Sequence, residues 1–317
     1  MREHGKLTIQ RIMVATDLSD ASYGALNYAT QLARCFSAKL LVVHVVDSER
    51  TATQPEAIMT SLPEQIDAAE KELQKINSAL SFDHVESALI VRPGSIREVI
   101  MKLIEERGAG LLVIGTRGKG YQNGEGLGSV AEMLLRAMPC PVLTVGKGVH
   151  QDACEGTHMR NVLFPTDFSD ISRNALAYAE SLTTYLRGRL LLLHVDENSA
   201  GGNLPHNDEF QMLMRDMDDP CLVAEQITRV GRAAEVIVAS SMEKRADFIV
   251  MGVHGADESG RAHNYGIAFD VIRSVKCPVF TLVDSSNKKT TEAPEREMTE
   301  EEEEFRLQQQ RCSVQHS

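Results

Sequence analysis

Apolar residues along the chain follow two rhythms. Some come in short unbroken runs, as in "IMVA" at 12–15 and "LLVVHVV" at 40–46. Others recur at helical spacing, as in Ala21, Leu26, Tyr28, Ala29, Leu32 and Ala33. The runs predict strands buried on both faces, and the spaced positions predict amphipathic helices between them. Ser19 or Asp20 is placed to cap the first helix. A polar, Glu/Lys-rich helix follows over 63–80, then a third strand at "ESALIV" from Glu86. A helix over 95–107 is closed by Gly108 as its C-cap. "GLLVIG", ending at Gly115, is the fourth strand, Gly128–Ala137 the next helix, and "PVLTVG" from Pro141 the fifth strand. Unbroken apolar strands alternating with helices predict a parallel sheet covered on both faces, an open α/β sandwich.

The pattern is written twice. "RIMVATDLSDASYGALNYATQLA" from Arg11 returns as "NVLFPTDFSDISRNALAYAESLT" from Asn161, and Asp17 recurs as Asp167. "KLLVVHVVD" from Lys39 returns as "RLLLLHVDE" from Arg189. Gly94 then matches Gly231, Gly115 matches Gly252, and "CPVLTV" from Cys140 matches "CPVFTL" from Cys277. The offset drops between the second and third strands, so the second copy is shorter there. This is a duplicated domain rather than a short-period solenoid. The expected units are 9–147 and 159–284, joined by a linker, with a tail over 285–317. The tail is poor in apolar residues and carries a Glu-rich run, which reads as disordered or partly helical.

Composition narrows the picture. The chain has 317 residues, enough for two ordinary domains, and 43% of them are hydrophobic. Tryptophan is absent and aromatics are only 5%, so the cores are aliphatic. The net charge of −12, with no basic stripe, argues against a nucleic-acid partner. The N-terminal residues do not read as a signal peptide, and no apolar run approaches a membrane span. The six cysteines form no CxxC pair, which suits reduced thiols in a cytoplasmic protein. Cys140 and Cys277, each just before a strand, read as buried small hydrophobes.

The candidate chemistry lies in "IGTRGKGYQNGEGLGSV", Ile114–Val130. This glycine-dense loop joins the fourth strand to the following helix, at the carboxyl edge of the sheet, where open α/β folds bind ligands. The helix that begins at Gly128 and Ser129 offers backbone N–H groups and a positive dipole end. Glycines let the main chain approach a phosphate, Ser129 adds a hydroxyl, and Arg117 and Lys119 add positive charge. The spacing, Gly115, Gly118, then Gly128-Ser129, is neither a Gly-Lys-Ser/Thr P-loop nor a GxGxxG turn.

Taken with "VATDLSDAS", "LLVVHVVD", "VRPGSIREVI" and "CPVLTV", the loop resembles the universal stress protein family in its tandem form, over about residues 9–284. The resemblance implies Rossmann-like domains of five parallel strands and, for one subgroup, ATP binding. It implies an ATP site at Ala15, Thr16, Asp17, Val43, Ile114, Gly115, Arg117, Gly118, Gly128, Ser129 and Val130, with Mg²⁺ at Asp17. The alternative role of Asp17 is to cap the first helix. Because family members dimerise along the fifth strand, the resemblance also implies that "PVLTV" and "PVFTL" pair as an intramolecular pseudo-dimer, and that chains associate further as a homo-oligomer.

The second copy departs from the pattern. By count, Tyr265 stands where the first has Gly128, Ile267 follows Gly266 without a hydroxyl, and Asp257 and Glu258 enter the loop. These changes predict that the second domain does not bind ATP in the same way. His44 and His194 recur in the second strand of each copy, which favours a shared structural hydrogen bond over catalysis. Met212, Met214 and Met217 read as amphipathic packing, and His254 and His263 as loop histidines rather than ligands. No nucleophile elbow and no zinc pattern is visible, and the resemblance implies a regulatory ATP-binding protein rather than an enzyme. A ligand-free scaffold and a slow ATPase are the alternatives.

Overall fold

In the computed structural model, the residues described are 9–47, 61–82, 85–118, 126–146, 161–197, 206–253 and 265–283. The first half runs β1 (Arg11–Ala15), α1 (Asp20–Phe36), β2 (Lys39–Asp47), α2 (Leu62–Phe82), β3 (Ser87–Gly94), α3 (Ile96–Arg107), β4 (Leu111–Gly115), α4 (Ser129–Ala137) and β5 (Val142–Val145). The second runs β6 (Asn161–Pro165), α5 (Asp170–Leu186), β7 (Arg189–Asp196), α6 (Asn207–Met214), β8 (Val223–Val230), α7 (Ala233–Glu243), β9 (Phe248–Val253), α8 (Tyr265–Ser274) and β10 (Val279–Val283). The fold is α/β, with two tandem domains of five parallel strands each.

The two sheets merge into one. Strand order is β3-β2-β1-β4-β5-β10-β9-β6-β7-β8, and the central pair β5–β10 is antiparallel while each half is parallel. At the junction Phe280 stands opposite Leu143. The buried Thr144 hydroxyl donates to the Val279 carbonyl at 3.2 Å, and the Thr281 hydroxyl donates to the Val142 carbonyl at 3.1 Å. The fifth strands therefore pair within the chain, as the resemblance implied.

Strand alternation divides the core into two layers. Ile12 and Val14 face α1 and α2, while Met13 faces α3 and α4. Each layer runs through both halves: α5 and α6 continue the first, α7 and α8 the second. Aromatic edges stitch the halves on the first face, with Tyr28 against Phe248 at 5.9 Å and Phe36 against Tyr185 at 4.3 Å between ring centroids. On the second face the Arg136 guanidinium of α4 lies 4.7 Å from the Phe269 ring centroid of α8.

Local choices follow the sequence, with differences. Ser19 rather than Asp20 caps α1, accepting from the Ser22 N–H at 3.3 Å. β3 runs on through Pro93 to Gly94, beyond the expected end at Val91, because it is an edge strand where a missing N–H is tolerated. In the second half α6 carries its apolar stripe at Phe210, Leu213, Met214 and, just past its end, Met217. Met212 lies off that stripe and is exposed, which corrects its reading as a packing residue. The expected linker and tail fall outside the described residues.

Candidate functional site

With strand order β3-β2-β1-β4-β5, the chain path reverses between β1 and β4, and a crevice opens at their carboxyl ends. A cleft of about 330 Å³ lies there. Its floor comes from β1, β2 and β4, and its rim from the starts of α3 and α4.

The turn after β1 is tied tightly. The Thr16 N–H donates to the Val43 carbonyl at 2.9 Å, and the Thr16 hydroxyl oxygen accepts from the Leu18 N–H at 3.0 Å. Leu18 sits at φ 59°, a conformation costly for a branched side chain and typical of positions fixed by their surroundings. This turn aims Asp17. Its Oδ1 accepts from the Ser19 N–H at 3.1 Å and the Ser19 hydroxyl at 2.5 Å. Its Oδ2 lies against Gly118, where an added Cβ would stand 2.3 Å from the oxygen. Asp17 therefore buttresses the cap residue Ser19 rather than capping α1 itself, and it also lines the cleft.

The loop after β4 closes over the same space. The Gly128 N–H donates to the Thr116 carbonyl at 2.8 Å, and a Cβ on Gly128 would press that oxygen at 3.2 Å. Gly128 thus seals the loop base rather than offering its own N–H, a correction to the expected donor set. The first turn of α4 offers the N–H groups of Ser129, Val130 and Ala131 instead. The first α4 bond runs from Glu132 to Gly128, and no side chain caps the helix. Arg117 reaches across the loop, its Nε donating to the Gly126 carbonyl at 3.3 Å.

Ten of the eleven residues expected from the sequence line this cleft: Ala15, Thr16, Asp17, Ile114, Gly115, Arg117, Gly118, Gly128, Ser129 and Val130. Val43 does not. It is fully buried, and its carbonyl is taken by Thr16. Val45, two residues nearer the carboxyl edge on the same strand face, lines the cleft in its place. Sequence reasoning also missed Asp47, Ile96 and Ile100. The alternation of β2 was the available signal, since Val43, Val45 and Asp47 share one face and the edge positions meet the cleft. Lys119 and the central loop glycines lie outside the described residues.

The second half repeats the turn but not the surroundings. Asp167 Oδ1 accepts from the Ser169 N–H at 3.1 Å, the Ser169 hydroxyl at 2.5 Å and the Ser172 hydroxyl at 2.6 Å. The first-half equivalent of Ser172, Ser22, is turned instead towards the Thr16 hydroxyl and the Ser19 carbonyl, 2.8 Å from each. His44 and His194 share one structural bond: each Nδ1 lies 2.8 Å from the carbonyl of Thr16 or Thr166, so each donates there. Asp257, Glu258, His254, His263 and the Tyr265 side chain lie outside the described residues. No group of three or more His, Cys, Asp or Glu suited to a metal occurs among the described residues.

The sequence pattern of the Universal stress protein family matches residues 8–146 and again 158–284. The chain belongs to the universal stress protein family. Two relatives each align over less than half of the chain. A Staphylococcus haemolyticus protein named as a universal stress protein is 33% identical over 144 residues, covering 44% of this chain and 86% of its own. A universal stress protein of Methanocaldococcus jannaschii is 31% identical over 150 residues, covering 45% and 86%. The crystal structure of a universal stress protein from Archaeoglobus fulgidus superposes with a TM-score of 0.68 at 22% identity, covering 86% of this chain and 98% of its own, which supports the fold. As a universal stress protein this one is a tandem pair fused through its fifth strands. No helix among its described residues is long and apolar enough to cross a membrane.

Proposed function

We propose that the first-half cleft binds ATP with Mg²⁺, and that occupancy regulates the protein's conformation or assembly without catalytic turnover. The observation that carries this is the glycine cradle. A Cβ at Gly118 would displace the Asp17 carboxylate, 2.3 Å away, and one at Gly128 would crowd the Thr116 carbonyl at 3.2 Å, so both glycines keep the backbone close beside the start of α4. A helix N-terminus with unpaired N–H groups favours a phosphate, and Arg117 adds positive charge. The cleft volume of about 330 Å³ falls within the usual range of small-molecule pockets.

Apolar Val45, Ile96 and Ile100 suit an adenine ring at the other end. Asp17 would share Mg²⁺ with the phosphates, the common mode for that ion when few protein ligands are present. The degenerate loop of the second half supports one nucleotide per chain.

Isothermal titration of the full chain with Mg·ATP tests this. One site per chain is expected for wild type, with Gly118→Val weakened at least about tenfold, roughly 1.4 kcal/mol, and its circular dichroism unchanged. No binding by wild type removes the proposal and favours the ligand-free scaffold; equal binding by both proteins removes the glycine cradle as its basis.

A further inference from the structure

The cleft contains a carboxylate that the phosphate cradle does not use. Asp47 is the last residue of β2, opposite Gly94 of β3, and its side chain lines the cleft. It shares a strand face with Val45, and Ile96 and Ile100 of α3 stand across from it. It lies at the far end from the phosphate-binding start of α4. β4 and β2 are separated only by β1, so two strand spacings, roughly 10 Å, divide Asp47 from the loop after β4. A nucleoside triphosphate anchored by its phosphates at α4 therefore presents its sugar and base to β2 and α3.

An ionised carboxylate only accepts hydrogen bonds. The donors a nucleoside offers at this end are the two ribose hydroxyls and the amine of adenine. The apolar neighbours suit the ring, and the acid sits beyond them at the sheet edge, where the sugar is the more solvated part. An acid at the end of the second strand serves a ribose in this way in dinucleotide-binding α/β folds.

The second half supplies an independent comparison. Its equivalent acid is Glu197, paired by position with Gly231 as Asp47 is with Gly94. The Glu197 carboxylate accepts the Ala233 N–H at 2.7 Å, capping the start of α7. The duplicate, longer by one methylene, reaches across to the backbone at the start of α7. At the matching start of α3, Ser95 makes no side-chain cap bond, and Ile96 faces the cleft.

We propose that Asp47 reads the ribose diol of the nucleotide, making the first-half site selective for ribonucleotides, while Glu197 fills the corresponding place in the second half. This rests on the ATP reading above. The test is titration of the full chain with ATP and with 2′,3′-dideoxy-ATP, in Mg²⁺ and again in EDTA, using wild type, Asp47→Ala and Asp47→Asn. Thermal melts confirm that each variant is folded.

Wild type is expected to prefer ATP at least about tenfold, with or without Mg²⁺. Asp47→Ala is expected to bind both nucleotides at the wild-type dideoxy level, with Asp47→Asn between. Equal affinity of wild type for the two nucleotides overturns the proposal and leaves ATP binding standing. So does an equal weakening of both by Asp47→Ala, or a preference present only with Mg²⁺, which would make Asp47 a metal holder. Failure of wild type to bind either nucleotide overturns both readings.

Discussion

Single residues hold conformations that the sequence does not announce. Ser37, after the last turn of α1, sits at φ 52° with its N–H donating to the Arg34 carbonyl, in the left-handed region glycine occupies most easily. It is exposed, so Ser37→Gly should relieve the strain without removing packing. A gain of about 0.5–1 kcal/mol is expected by urea denaturation. The thiols make a second case. Burial pushes Cys140 and Cys277 up to about 12, against 9.0 for a free thiol. Both are neutral in the folded protein near pH 9 and above, while the unfolded chain ionises there. The folded state then binds more protons, so stability is fully present below pH 9 and falls as pH rises from 9 towards 12. Each thiol should contribute a slope approaching ~1.4 kcal/mol per pH unit in that window. Alkaline urea melts of Cys277→Ala should show a shallower decline than wild type.

At the level of elements, much was legible before the structure. The apolar runs gave the strands, the glycine loop fell at the sheet edge, and the repeated "TD-x-S" became one turn in two copies, with Leu18 and Phe168 both left-handed at φ 59° and 62°. What was not legible needed a partner strand or a third dimension. Pro93 reads as a stop, and only the edge position of β3 lets the strand pass through it. Val43 and Val45 are the same residue on the same face, and only the level of the crevice distinguishes the buried one from the lining one. The Gly128 N–H looked available until the Thr116 carbonyl was placed 2.8 Å away. Asp47 and Glu197 are a conservative pair in sequence, yet one lines a cleft and the other caps a helix.

Across the whole molecule the two halves share both core layers, so they should not unfold separately. Urea transitions followed by far-ultraviolet dichroism and by tyrosine fluorescence are expected to coincide. Two separated transitions would show the halves to be independent. The junction is the sensitive place. Phe280 is 4% exposed and lies 5.3 Å from the Tyr178 ring, so Phe280→Ala should cost about 3–5 kcal/mol and bring the midpoint down for both halves together.

The antiparallel meeting of β5 and β10 also sets a direction. Since every strand in one half points against those of the other, the two carboxyl edges look opposite ways, and whatever docks at one rim is screened by the full height of the sheet from whatever docks at the other. A cleft built at one carboxyl edge therefore has no counterpart beside it on the same side of the sheet.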